Sequence, residues 1–285
     1  VKECFRRTSR GFLATTVELP RKPSRMDGMN MAGIYIGTIL LERNRWAPGK
    51  VPTYLVSQWL ERFRTAGFDG IELWENHAAL CPEDERVRLE ALAAPVAVFN
   101  SYAGFDTAGE VQRRLAAAMA VRLRAQAVKF NMGPDPGMRV PYVQAALEWR
   151  TLFPAHVRLL CECHPGTVME EPQAAAEVFA QCDGFEAIVH PFTWDLERLA
   201  AWFRLLGPKI THAHVQLRTR DDLFLRLDRD PGYVREALAV MREGGFRGSF
   251  TLEFAEGTRS ASENMEELFS AVLADLAFLR ENWPG

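Results

Sequence analysis

Apolar positions along this chain recur with two periods. Short runs rich in β-branched and aromatic residues alternate with longer stretches whose apolar residues fall three and four apart. "GIYIGTIL" at 33–40 predicts a first strand, and Leu55, Val56, Trp59, Leu60 and Phe63 then predict a helix that stops at Gly67. "FDGIELW" (68–74) and "PVAVFNS" (95–101) read as the second and third strands, with a short helix between them. Asp106 or Thr107 can cap the next helix, whose Val111, Leu115, Ala118 and Met119 form one apolar stripe. Strands four to eight are predicted in "AVKFNMG" (127–133), "HVRLLCECHPGT" (156–167), "FEAIVH" (185–190), "ITHAHVQL" (210–217) and "GSFTLEF" (248–254). Helices near 138–152, 171–182, 195–206, 232–243 and 262–281 fill the intervals.

Eight strands, each followed by a helix, predict parallel βαβ units. Eight units in about 250 residues is the size of a closed (β/α)8 barrel, a single-domain α/β TIM barrel over 31–285. The alternative, a doubly wound open sheet, needs a glycine-rich turn after strand one, and "GTILLERNRW" contains none. Residues 1–30 differ in texture: the first 28 carry seven basic residues against three acidic ones and have no periodicity. They are expected to be a disordered extension, or an over-called start ahead of Met26, Met29 or Met31.

A barrel places its functional groups at the C-terminal ends of its strands, facing inward. Here those ends carry Glu72, Asn100, Lys129 with Asn131, Glu162 with His164, His190, His212 with His214, and Glu253. Period two puts Glu162 and His164 on the face of Leu160, with Cys161 and Cys163 opposite as small outward-packing groups. His212, His214 and Gln216 share one face in the same way, as do Lys129 and Asn131. Buried carboxylates and imidazoles each cost several kcal/mol without a partner, so Glu162, His190, His214 and Glu253 converging on the axis point to a divalent cation. Mixed oxygen and nitrogen donors suit Mn²⁺, Co²⁺, Fe²⁺, Zn²⁺ or Mg²⁺, with Mn²⁺ favoured.

These strand ends resemble the xylose isomerase-like TIM-barrel superfamily, which includes sugar (phosphate) isomerases and epimerases and the AP endonuclease family 2. The resemblance covers about residues 33–280 and rests on "GFDGIELW", "CECHPGT" (the family's E-x-H-x-G-T), "THAHVQL" and "GSFTLEF" in order. It implies one metal held by Glu162, His190, His214 and Glu253. The sixth strand departs from the pattern, with His190 where the family has Asp, and Thr193 where a His follows three residues later. The resemblance further implies that Glu162 and Glu253 shuttle a proton next to a substrate carbonyl through an enediolate. His164 is expected to bind or protonate a substrate oxygen. Lys129 is expected to act as an acid or electrophile with a pKa lowered by burial. Glu72, His77, Asn131, His212, Arg218 (or Arg220), Trp74 and Trp194 are expected to line the substrate site, with Trp46 also in a mouth loop.

The function expected is a metal-dependent sugar or keto-sugar isomerase or epimerase. A lyase or dehydratase on a keto-sugar or keto-inositol, and a non-catalytic sugar-binding relative, are the alternatives. A formal charge of −3 gives no broad nucleic-acid or membrane footprint, and no apolar run reaches the roughly 18 residues that span a bilayer. Five scattered cysteines without CxxC pairing fit reduced thiols, so a cytoplasmic location is expected. The expected partner is a small-molecule sugar, and homo-oligomers are common in such families.

Overall fold

The computed structural model describes residues 32–92, 94–219 and 221–283. The expected extension over 1–30, Cys4 and Arg220 lie outside them. Strands β1 (Ile34–Gly37), β2 (Gly70–Trp74), β3 (Val98–Asn100), β4 (Ala127–Phe130), β5 (Arg158–Glu162), β6 (Phe185–Val189) and β7 (Ile210–Val215) run in chain order. A two-stranded antiparallel hairpin, β8 (Leu217–Arg218) with β9 (Phe224–Leu225), follows, and β10 (Ser249–Leu252) completes the set. β1 to β7 and β10 close into one parallel barrel in which β1 pairs with both β2 and β10. The doubly wound alternative is therefore excluded. The hairpin differs from the sequence expectation of a single strand over 210–217, since β7 ends at Val215 and Leu217 pairs with Leu225.

The helices are α1 (Leu60–Ala66), α2 (Glu75–Ala79), α3 (Glu83–Glu90), α4 (Glu110–Arg122), α5 (Arg139–Arg150), α6 (Pro172–Phe179), α7 (Leu196–Leu206), α8 (Pro231–Glu243) and α9 (Met265–Asn282). Their starts follow local chemistry: Asp195, Asp230 and Asn264 each accept a hydrogen bond from the backbone N–H three residues on. α1 stops at Gly67, whose φ of 102° is open to glycine at little cost.

One helix presents a different face from the one its apolar stripe predicts. In α4, Val111 and Leu115 are 69% and 61% exposed, while Arg113, Ala116, Ala117 and Ala120 are buried. The cause is tertiary. Arg113 turns back to donate to the carbonyls of Gly104 and Asp106, and its own carbonyl accepts from Trp149 Nε1 at 2.7 Å. Three alanines then let α4 approach the barrel closely.

Inside the barrel, Val98, Ala127, Leu160 and Ile188 pack together against Tyr35. Two residues further along each of those strands stand Asn100, Lys129, Glu162 and His190. The strand period therefore sets a polar ring directly above an apolar floor. The outward-facing partners Cys161, Cys163, Val128 and Phe130 belong to the main core beneath the helices. No helix among the described residues is long and apolar enough to cross a membrane.

Candidate functional site

The polar ring closes the inner end of a cavity of about 520 Å³ at the C-terminal mouth of the barrel. Glu162, from the end of β5, sits at its centre. Its Oε2 accepts from Lys129 Nζ at 2.7 Å and Asn131 Nδ2 at 2.8 Å. Its Oε1 lies 2.7 Å from His190 Nε2 and 3.2 Å from His214 Nδ1. Glu253, just past β10, stands 3.5 Å from His214 Nδ1. One donor atom from each of Glu162, His190, His214 and Glu253 lies within 4.8 Å of the others.

Behind this ring lies a second, fully enclosed layer. Glu72 Oε2 accepts from His214 Nε2 at 3.1 Å, and Glu72 Oε1 accepts from Asn100 Nδ2 at 2.8 Å. His212 bonds Ser249 through Nδ1 and Thr251 through Nε2. Glu72 thus orients the His214 ring with Nδ1 toward the ring of donors, the usual way a carboxylate orients a metal-ligating imidazole.

The charges in the ring are unequal in their support. Burial pushes Glu162 upward, but the Lys129 ammonium and the two imidazoles outweigh it and hold the carboxyl well below its ordinary range. Glu72 is held low too, because His214 and His212 outweigh its burial. Burial works against a charged His214, yet Glu72, Glu253 and Glu162 together raise it well above the ordinary imidazole value. Glu253 is the exception. Burial and the neighbouring carboxylates raise it, since His214 and Lys129 are already committed elsewhere. Burial keeps His190 and His212 neutral. Glu162, His190, His214 and Glu253 bring together the mixed oxygen and nitrogen donors that a divalent ion takes, and binding it would release the proton from each ligating imidazole nitrogen.

The site corrects several expectations. Burial alone would lower Lys129, but Glu162 and Glu253 reverse the sign and raise it above the ordinary lysine value. His77 does not line the mouth: β2 runs straight into α2, which turns the imidazole inward to Thr38 Oγ1 at 2.9 Å and Glu42 Oε2 at 3.1 Å. Trp74 is buried among Ile39, Phe224 and Phe254. Trp194 stacks on Tyr233 at 4.4 Å and donates to the Arg218 carbonyl, outside the cavity lining. His212 and Glu72 sit behind the ring, where their partners enclose them. Asn131, His164, Arg218 and Trp46 do line the cavity. Residues the strand-end reading missed are Arg45, Lys50, Tyr102 and Arg259, which reach the cavity from loops. They lie outside the regular strands and helices, where there is no periodicity to read.

No family model matches the sequence, and no curated protein does. Solved structures do match. The probable 3-DHS dehydratase AsbF of Bacillus anthracis superposes with a TM-score of 0.64 at 17% identity, over 87% of this chain and 98% of that one. A D-psicose 3-epimerase in the presence of D-fructose gives 0.64 at 13% identity, over 89% and 100%. A xylose isomerase-like TIM-barrel protein from Mycobacterium smegmatis in complex with magnesium gives 0.56 at 15%, over 87% and 98%. The fold is that of the xylose isomerase-like barrels. That fold puts functional groups at the strand ends, where this chain carries its polar ring.

Proposed function

We propose that this xylose isomerase-like barrel is a divalent-metal-dependent enzyme that moves a proton at the carbon next to the carbonyl of a sugar or keto-sugar. The observation that carries this reading is the contrast between Glu253 and Glu162. Glu162 is saturated by four neighbours, whereas Glu253 has one distant partner and a raised proton affinity. A base must be able to take a proton, and Glu253 is the better placed of the two. A divalent cation held by Glu162, His190, His214 and Glu253, with Mn²⁺ favoured, would polarise the substrate carbonyl and offset enediolate charge. Glu162 keeps Lys129 protonated and directed into the cavity, and Asn131 steadies that carboxylate. His164, partly exposed beside His190, is in reach of a substrate oxygen. Two solved structures of this fold are the ketose epimerases D-psicose 3-epimerase and L-ribulose 3-epimerase, and a third is a probable 3-DHS dehydratase, which supports a ketose as the substrate.

Elimination is the second reading, because the Lys129 ammonium lines the cavity beside Glu162, where it can hydrogen-bond a departing hydroxyl. ¹H NMR of a ketose panel in D₂O with the Mn²⁺-loaded protein tests both. Deuterium next to the carbonyl with no unsaturated product supports isomerisation, and an unsaturated product supports elimination. Glu253→Gln is expected to abolish either one while metal binding by the remaining groups weakens but persists. Retained exchange in that variant refutes the assignment.

A further inference from the structure

The outer half of the same cavity has the opposite charge from its inner end. Arg45, Lys50, Arg218 and Arg259 all line it. Three of them are built into a stack of aromatic rings. The Arg45 guanidinium lies 4.5 Å from the Trp46 ring and that of Arg259 lies 4.3 Å from the same ring. Arg259 and Arg218 in turn lie 5.7 and 4.7 Å from Phe224. The fourth cation, Lys50, sits 4.9 Å above Tyr102 and pairs with no carboxylate among the described residues.

The compensating acids are too few. Arg45 has Glu263 at 2.6 Å, but Arg218 and Arg259 share the single carboxylate of Asp222. Asp106 also lines the cavity, and its Oδ1 is tied to the Gly109 amide. With Asp106 counted, four cations meet three carboxylates, and Glu42, whose charge also acts on Arg45, is bonded to Thr53 and His77. Arg45 is almost fully buried, and its Nε has no hydrogen-bond partner. Trp46, by contrast, is 47% exposed although it is the centre of the stack.

Stacking fixes a guanidinium by its face and leaves its N–H edge to donate. Arg218 gives that edge to Gln216 and Asp222, and Arg45 gives its two Nη groups to the Glu42 carbonyl and Glu263. Arg259, by contrast, bonds Asp222 through Nη1 alone and keeps Nε and Nη2, with the Lys50 ammonium, for a ligand. Holding like charges in one wall is costly in the absence of a counter-charge, and a hydroxyl group would recover little of that cost. An oxyanion recovers it directly, through bidentate charge-assisted hydrogen bonds.

We infer that the wall formed by Arg45, Arg259, Arg218 and Lys50 is an anion subsite, and that the substrate is an anionic ketose whose carboxylate or phosphate lies away from the carbonyl. This rests on the proposed ketose chemistry for its carbonyl end only. The sequence carries no glycine-rich phosphate loop. Arginine side chains here replace the backbone amides of such a loop.

Three ketoses that differ only at carbon six provide the test: D-fructose, D-fructuronate and D-fructose 6-phosphate. Calorimetric titration into the Mn²⁺-loaded full chain at low salt reads the subsite, and solvent-deuterium exchange reads the chemistry separately. At least one anionic ketose is expected to bind about tenfold or more tighter than D-fructose, with the margin shrinking as KCl is added. Arg259→Ala should erase most of that margin, while Arg114→Ala on the exposed side of α4 should keep it. A tighter grip on the phosphate than on the carboxylate, or the reverse, identifies which anion the wall takes. Equal binding of all three, or binding of none, overturns the subsite. Anionic preference without exchange leaves the subsite standing and refutes the proposed chemistry. Exchange of D-fructose without anionic preference does the reverse.

Discussion

Gln216 Nε2 lies 2.7 Å from His190 Nδ1. The amide is held that way round because its Oε1 accepts from Arg218 Nη2 at 2.9 Å and Nε at 3.2 Å. His190 Nδ1 is thereby an acceptor and its Nε2–H donates to Glu162. Ligation of a cation through Nε2 requires the other tautomer, with Nδ1–H facing an acceptor.

Gln216→Glu supplies that acceptor while keeping the contact to Arg218. It is expected to tighten Mn²⁺ binding by about tenfold, as changes behind a ligating imidazole commonly do. Titration of dialysed protein with Mn²⁺ measures it, with Gln216→Met as the comparison that lacks both contacts. Equal affinity in Gln216→Glu and the parent protein would show that His190 is not a ligand.

Lys129 and Glu162 are nearly fully buried and 2.7 Å apart. Lys129→Met strands a carboxylate in a dry site, which costs on the order of 3 kcal/mol in the metal-free protein. Added Mn²⁺ is expected to recover part of that loss, because binding to the native state alone stabilises it. Urea unfolding with and without the ion checks this. Since Glu162 and Glu253 raise the Lys129 pKa, no loss of turnover between pH 8 and 10 should trace to its deprotonation.

Asp275, buried on α9, accepts from the Leu227 N–H at 2.7 Å, and burial pushes its carboxyl up to about 8. Asp228 and Glu256 nearby reinforce the rise and Arg226 opposes it. An unfolded aspartate ionises near pH ~3.9, so between that pH and about 8 the native state binds the extra proton. The contribution is therefore full below pH ~4 and is lost as pH rises to about 8. Asp275→Asn should remove this slope and be more stable than the parent at pH 9, by on the order of a few kcal/mol. Urea titrations at pH 5 and pH 9 decide it, and an unchanged difference between the two pH values would refute it.

Gly248 enters β10 so close to β7 that a Cβ there would stand 2.0 Å from the Thr211 carbonyl oxygen. The Thr211 carbonyl is barrel backbone and cannot yield by itself, and the Phe246 ring stands 2.8 Å from the same position. Gly248→Ala is expected to destabilise by about 1–3 kcal/mol or more, read as a lowered thermal midpoint.

Much of this protein was legible in its sequence because a barrel strand repeats every two residues. The step from Leu160 to Glu162, or from Ile188 to His190, places a polar group on the inner face wherever the strand begins, so the eight-stranded barrel and its ring followed from local pattern alone. Partnership was not legible. Nothing near Lys129 in the chain reveals that Glu162 outweighs its burial, because that carboxylate arrives from the next strand. Trp74 and His77 followed the same strand end, but the immediate start of α2 turned them inward. The stripe of Val111 and Leu115 lost the core to Arg113, whose partners lie in a preceding loop. Arg45, Arg218 and Arg259 come from three separate loops and meet only around Trp46 and Phe224. Periodicity is a property of regular backbone and is carried by the sequence itself. The sign of a charge's environment is a sum over groups brought together from distant parts of the chain, and only the tertiary structure decides it.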